Sequence, residues 1–227
     1  MKKTMLLAIF ILAAACLWAG GQLRTSLSGS FAVSRGKTSS GNGVDSTDYE
    51  LVGAGGGFCL TGVSPSGLAF FAGADGLYLP GFSMKDKDYR NYKGGSSYWG
   101  EMWTAYAGAG KEFRITDRLG ILAGGGLCVS RIGVDVTWPV LNISGSYRLS
   151  MINLGLCART ELCYRLCDDA ALVLGADISL HAYNIASAKE LIAPPGGAYC
   201  LFKKDVASGG WSFGAGVRAS LGFASFY

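Results

Sequence analysis

Every second residue of the C-terminal stretch 211–227 belongs to one chemical class. Trp211, Phe213, Ala215, Val217, Ala219, Leu221, Phe223, Ser225 and Tyr227 form one series, and Ser212, Gly214, Gly216, Arg218, Ser220, Gly222, Ala224 and Phe226 form the other. A period of two residues is that of a β-strand with one apolar face and one small or polar face. Aromatics stand at both ends of the apolar series, as they do where a strand crosses a bilayer with an aromatic girdle at each interface.

The same period recurs upstream. Expected strands run over Leu23–Gly36, Tyr49–Thr61, Leu68–Leu79, Trp99–Ile115, Leu119–Ile132, Ile152–Arg165, Leu172–His181 and Trp211–Tyr227, eight in all. Inside and outside separate most clearly in the sixth, where Ile152, Leu154, Leu156, Ala158, Leu162 and Tyr164 alternate with Asn153, Gly155, Cys157, Arg159, Glu161, Cys163 and Arg165. The connections alternate in length. Residues 37–48, 81–98, 133–146 (with Trp138-Pro139) and 185–210 (with Pro194-Pro195) are long, whereas the turns at Pro65, Thr116–Arg118 and Cys167–Asp169 are short. Long loops on one side, short turns on the other and an even strand count are the pattern of an antiparallel up-and-down transmembrane β-barrel.

Composition supports an all-β membrane chain. Half of the 227 residues are apolar and 16% are charged, yet no unbroken apolar run after the first twenty residues reaches the ~18 of a spanning helix. Insertion must therefore be by strands. A soluble sandwich or barrel would also alternate, but its outer face would here be glycine and serine with few charges. The net charge of +4 is scattered and forms no nucleic-acid-binding stripe.

At the N-terminus, Lys2 and Lys3, the apolar run Met5–Ala19 and the small residues Ala19, Gly20 and Gly21 read as an export signal. Cleavage after Gly21 makes 1–21 a signal peptide and 22–227 the barrel domain. Lipidation of Cys16 is the weaker alternative, because Leu17 and Trp18 continue the apolar segment and no polar tether follows. Beyond the signal stand Cys59, Cys128, Cys157, Cys163, Cys167 and Cys200. An oxidising compartment permits disulfides between them, and apolar filling is the other role they can have. With one histidine in the chain their spacing has no zinc pattern, and no metal or cofactor is expected.

The inward series carries Arg24, Arg114, Arg159, Arg165 and Arg218 against Asp75, Glu112, Glu161 and Asp177. Near-balance suits a lumen closed by ion pairs, since an unpaired buried charge is costly and a barrel of about eight strands is just wide enough to be filled by side chains. Inward glycines, including Gly53, Gly57, Gly108, Gly124 and Gly216, either leave a narrow path or let a small barrel close. Asp177, Ser179 and His181 read as D-x-S-x-H, but same-face neighbours on a strand lie about 6.6 Å apart, too far for a hydrogen-bonded triad. No catalytic residue is assigned. In the loop 81–98, Lys85, Lys87 and Lys93 are interleaved with Tyr89, Arg90 and Tyr92, and tyrosine and arginine are over-represented in protein contacts, which makes this loop the candidate ligand-facing surface.

The terminal SLGFASFY is similar to the signal read by the barrel-insertion machinery, with Gly222, Phe223, Phe226 and Tyr227 in the matching places and Ser225 where another aromatic is common. With the eight alternating strands, residues 22–227 resemble the small outer-membrane barrels of the OmpA, OmpX, OmpW and opacity-like group. The resemblance implies a monomer in the bacterial outer membrane, contacting outer-membrane lipids and delivered by periplasmic chaperones to the barrel-assembly machinery. It leaves three roles open: an adhesin-like surface protein with a plugged lumen, whose loops meet host or environmental ligands; a narrow channel for small apolar solutes; and, lowest, a lipid-A deacylase or acyltransferase.

Overall fold

The computed structural model describes residues 21–39, 46–86, 92–93, 100–140, 143–192, 209–210 and 214–226. Eight long strands make the barrel: β1 Gln22–Ser39, β2 Ser46–Val63, β3 Leu68–Asp86, β4 Gly100–Arg114, β5 Leu119–Val140, β6 Ile143–Arg165, β7 Ala170–Ile192 and β8 Gly214–Phe226. Two short pieces, Tyr92–Lys93 and Gly209–Gly210, pair with β3 and β7. Each long strand is antiparallel to the next, and β8 pairs with both β7 and β1. The closing seam runs from Arg24 opposite Phe226 to Gly36 opposite Gly214 with no bulge. The barrel is a closed, all-antiparallel sheet.

Its apolar and polar faces are inverted relative to a water-soluble protein. Leu27 is 68% exposed, Leu127 68%, Leu156 59% and Phe223 64%, while Arg24, Asp75, Arg159, Glu161 and Asp177 are buried. Such a continuous apolar belt is stable only against an apolar solvent. Three turns close one end of the barrel. At 64–67, the Gly67 amide donates to the Ser64 carbonyl and the Ser64 amide to the Leu68 carbonyl, and Gly67 has φ 83°, a left-handed conformation that glycine adopts without strain. At 115–118 the Thr116 hydroxyl accepts from the amides of Arg118 and Leu119.

The strands extend beyond the expected limits at the far end. The expected loop 133–146 is instead strand on both sides of residues 141–142, with Pro139 paired to Ser144 near the tip. The expected loops 81–98 and 185–210 also lose their first parts, to β3 through Asp86 and to β7 through Ile192. Beyond Gly133 the period of two continues, Val134, Val136 and Trp138 alternating with Asp135 and Thr137, and the ladder of hydrogen bonds to β6 continues with it. The export signal through residue 20, Pro194-Pro195, Trp211 and Tyr227 lie outside the described residues.

An arginine placed mid-belt on the lipid side, Leu156→Arg, is expected to lower refolding stability in vesicles by about 2–4 kcal/mol, and Ser225→Arg at the belt edge by under about 1 kcal/mol. Equal costs in equilibrium unfolding would contradict the assignment of the belt.

Candidate functional site

The site is the lumen, and its lower half is a single chain of ion pairs. Strand register supplies half of it. Arg159 on β6 stands opposite Asp177 on β7, and Asp177 stands opposite Arg218 on β8. Arg159 Nη1 lies 3.2 Å from Asp177 Oδ1, and Arg218 Nη2 lies 2.9 Å from Asp177 Oδ2. Glu161, two residues from Arg159 on the same face, accepts from Arg159 Nη2 at 2.9 Å. The other half crosses the lumen. Arg24 on β1 donates to Glu161 at 2.5 Å and to Glu112 on β4 at 3.1 Å, and Arg218 pairs with Asp75 on β3. The order is Glu112, Arg24, Glu161, Arg159, Asp177, Arg218, Asp75, alternating in sign.

These pairs are desolvated, and the two central arginines make them through Nη1 and Nη2, the Nε of Arg24 and of Arg159 being buried without a partner among the described residues. Glu161 is completely buried and Arg24 2% exposed, and charges so placed are tolerated only when each has an opposite partner and further hydrogen bonds. Tyr106 of β4 is clamped between the two inner arginines, with the guanidinium of Arg159 5.1 Å and that of Arg218 5.0 Å from its ring centre.

Two of the nine expected lumen charges fall outside the chain. Arg114 is exposed beside the turn that follows β4, where the inward series has already run off the barrel wall. Arg165 lies at the short-turn mouth, 3.4 Å from the side-chain oxygen of Gln22 and stacked 4.8 Å over the ring of Phe226. Both sit at strand ends, where parity no longer decides between lumen and rim.

Above the ionic layer are a polar cluster and then an aliphatic one. Thr104 and Ser130 are 3.0 Å apart, and Ser130 lies 3.4 Å from His181 Nε2. Leu51, Leu77, Leu79, Met102, Ile132, Val134 and Met151 pack together beyond them. The inward glycines are filled from across the sheet. A Cβ at Gly57 would strike the Asp75 carboxylate, one at Gly124 would lie 2.8 Å from the ring of Phe71, and one at Gly53 would lie 2.8 Å from Leu79. Among the described residues one cavity of about 40 Å³ lies between these layers, lined by Leu77, Met102, Tyr106 and Arg218.

Asp177, Ser179 and His181 each bond elsewhere: Asp177 to two arginines, Ser179 to the carbonyl of Gly216 and His181 to Ser130. Cys59, Cys128, Cys157, Cys163 and Cys167 are free thiols, and Cys200 lies outside the described residues. Of the candidate loop residues, Lys87, Tyr89 and Arg90 lie outside the described residues, whereas Lys85, Tyr92 and Lys93 are placed by backbone only. In the terminal signal Phe223 is exposed on the belt, Phe226 lies under Arg165, and Gly222 sits where a Cβ would strike the carbonyl of Leu27.

No protein-family model and no curated protein matches the sequence. Solved structures do match it. The outer membrane protein OprG from Pseudomonas aeruginosa superposes with a TM-score of 0.57 at 12% identity, over 91% of this chain and 96% of that one. A major outer membrane protein from Thermus thermophilus superposes at 0.52 with 16% identity, over 88% of this chain and 99% of that one. The chain has the fold of the small outer-membrane β-barrels. At these identities the likeness is one of architecture.

The roles of Tyr106 and Phe71 were not legible in the linear sequence of this barrel, although both stand in the inward series. Their signal is indirect: large inward rings on β3 and β4 need empty places to enter, and the glycines of neighbouring strands provide them.

Removing the central cation, Arg159→Ala, leaves Glu161 and Asp177 short of a partner and is expected to destabilise the barrel by about 3–5 kcal/mol. The temperature of its heat-modifiable gel transition should fall accordingly. Arg114→Ala, outside the chain, should leave that temperature within a degree or two; equal shifts would count against the ion-pair layer.

Proposed function

We propose that the protein is an integral outer-membrane barrel with a sealed lumen, a structural or adhesin-like surface protein that acts through the segments joining its strands at the far end. The observation that carries this reading is the ion-pair chain from Glu112 to Asp75 stacked beneath the aliphatic cluster around Met102. A solute would have to part desolvated ion pairs and then cross a packed apolar layer. The residual cavity, about 40 Å³, has room for roughly one or two waters.

On this reading residues 1–21 are removed on export, and 22–227 are carried by periplasmic chaperones to the barrel-assembly machinery, which reads Gly222, Phe223, Phe226 and Tyr227. The barrel stands as a monomer among outer-membrane lipids with its short turns in the periplasm. Lys85, Lys87, Tyr89, Arg90, Tyr92 and Lys93 form the surface offered to host or environmental ligands. No residue is assigned a catalytic role, and no cofactor or metal is required for this function.

Purified barrel in a planar bilayer is expected to give no reproducible single-channel steps, and steady unitary conductance would overturn the sealed lumen. Replacing residues 87–98 with a Gly/Ser linker should keep the heat-modifiable fold and abolish retention of whole cells on an extracellular-matrix surface. Unchanged retention would remove that segment from the ligand surface.

A further inference from the structure

The lipid-facing wall carries a cation that nothing in the barrel answers. Arg131 on β5 belongs to the outward series, opposite Trp103 of β4 and Ile152 of β6, and it is exposed. Arg35, Arg148 and Lys111 also face outward, and each is engaged. Arg35 pairs with Glu50 and Arg148 with Asp135, both at 2.8 Å, while Lys111 lies 5.5 Å from the ring centre of Phe113. Arg131 has no ion pair, hydrogen bond or ring contact among the described residues.

Its neighbours turn away from it. The indole of Trp103 lies over Gly76 on β3, the opposite side of β4 from Arg131, with Cζ3 2.9 Å from where a Cβ of that glycine would stand. Glu101 is the diagonal carboxylate, opposite Gly133, and its Oε1 leans over that glycine, 3.3 Å from the position of a Cβ. It therefore makes no ion pair with Arg131. The guanidinium is left with open wall around it and no anion of the protein's own.

The level of the site selects the anion. Trp103 and Tyr78, 57% and 47% exposed, stand where an aromatic girdle marks the head-group level. Toward the short turns the outward series of β5 continues as Val129 and Leu127, and Leu127 is fully in the apolar belt. An arginine on the lipid face costs most at the midplane and least at that boundary, where the anions within reach are lipid phosphates. Its planar fork of donors matches a phosphate bidentately. Beneath Arg131 the wall is low. Ala105 and Ala107 of β4 stand opposite Ala74 and Ala72 of β3, leaving a shallow bed beside the projecting Leu127. We propose that Arg131 binds the phosphate head group of an anionic membrane lipid, one acyl chain of which lies over Ala105 and Ala107. The site rests on the reading of the barrel as standing among outer-membrane lipids.

Native mass spectrometry of the folded chain in a neutral detergent, titrated with phosphatidylglycerol, tests it. One lipid per barrel is expected to be retained, whereas diacylglycerol with the same chains is not, and equimolar inorganic phosphate leaves the bound lipid in place. Arg131→Gln should weaken retention by about fivefold, and Arg131→Lys, which keeps the charge and loses the fork, by about twofold. Arg148→Gln, whose charge Asp135 already answers, should change it by less than about twofold. The heat-modifiable gel shift reports the barrel separately: its absence from the unsubstituted protein would overturn the membrane reading and this site with it. With the shift intact, the site alone is refuted by equal retention in Arg131→Gln, by equal loss in Arg148→Gln, by diacylglycerol binding as well as phosphatidylglycerol, or by displacement with inorganic phosphate.

Discussion

Hydrocarbon offers no hydrogen bond to a backbone N–H or C=O, and every sheet edge left in it carries a row of unpaired groups. The uninterrupted pairing of β1 with β8 removes that edge, and much of the remaining structure follows from it. A sheet closed at eight strands has one face toward lipid and one toward a narrow lumen, so each position along a strand is forced into one of two solvents. Leu27, Leu127 and Leu156 face one, and Arg24, Arg159 and Glu161 face the other.

The narrow lumen then sets the electrostatics. It is dry enough that charges must pair and small enough that they must do so across its width. Asp177 can bridge two arginines because β6, β7 and β8 are in adjacent register, whereas Arg24 reaches Glu112 only because β1 and β4 face each other through the interior. The glycines belong to the same economy of space: Gly57 admits the Asp75 carboxylate and Gly124 the ring of Phe71. They therefore act as sockets for neighbouring side chains more than as the lining of a path.

Much of this was legible in the sequence. Period-two alternation placed all eight strands, and parity put seven charges in the lumen chain, because a closed barrel carries the inside-outside rule along every strand. The limits of that rule are equally physical. Arg114 and Arg165 sit at strand ends where a side chain can turn outward, and the strand that continues past Gly133 keeps its period of two, Val134, Val136 and Trp138 alternating with Asp135 and Thr137, although Trp138-Pro139 has the chemistry of a loop. Which arginine pairs with which carboxylate was not legible at all.

The sequence by itself determined the barrel, its strand count and which face of each strand meets lipid, since these follow from a two-residue period and from the need to satisfy every backbone group. Only the tertiary structure decided the order of the ion pairs, the clamp on Tyr106 and the approach of Cys128 to His181. Those contacts depend on register between strands and on distances across the lumen, which depend on how the sheet is closed and which no spacing along one strand contains.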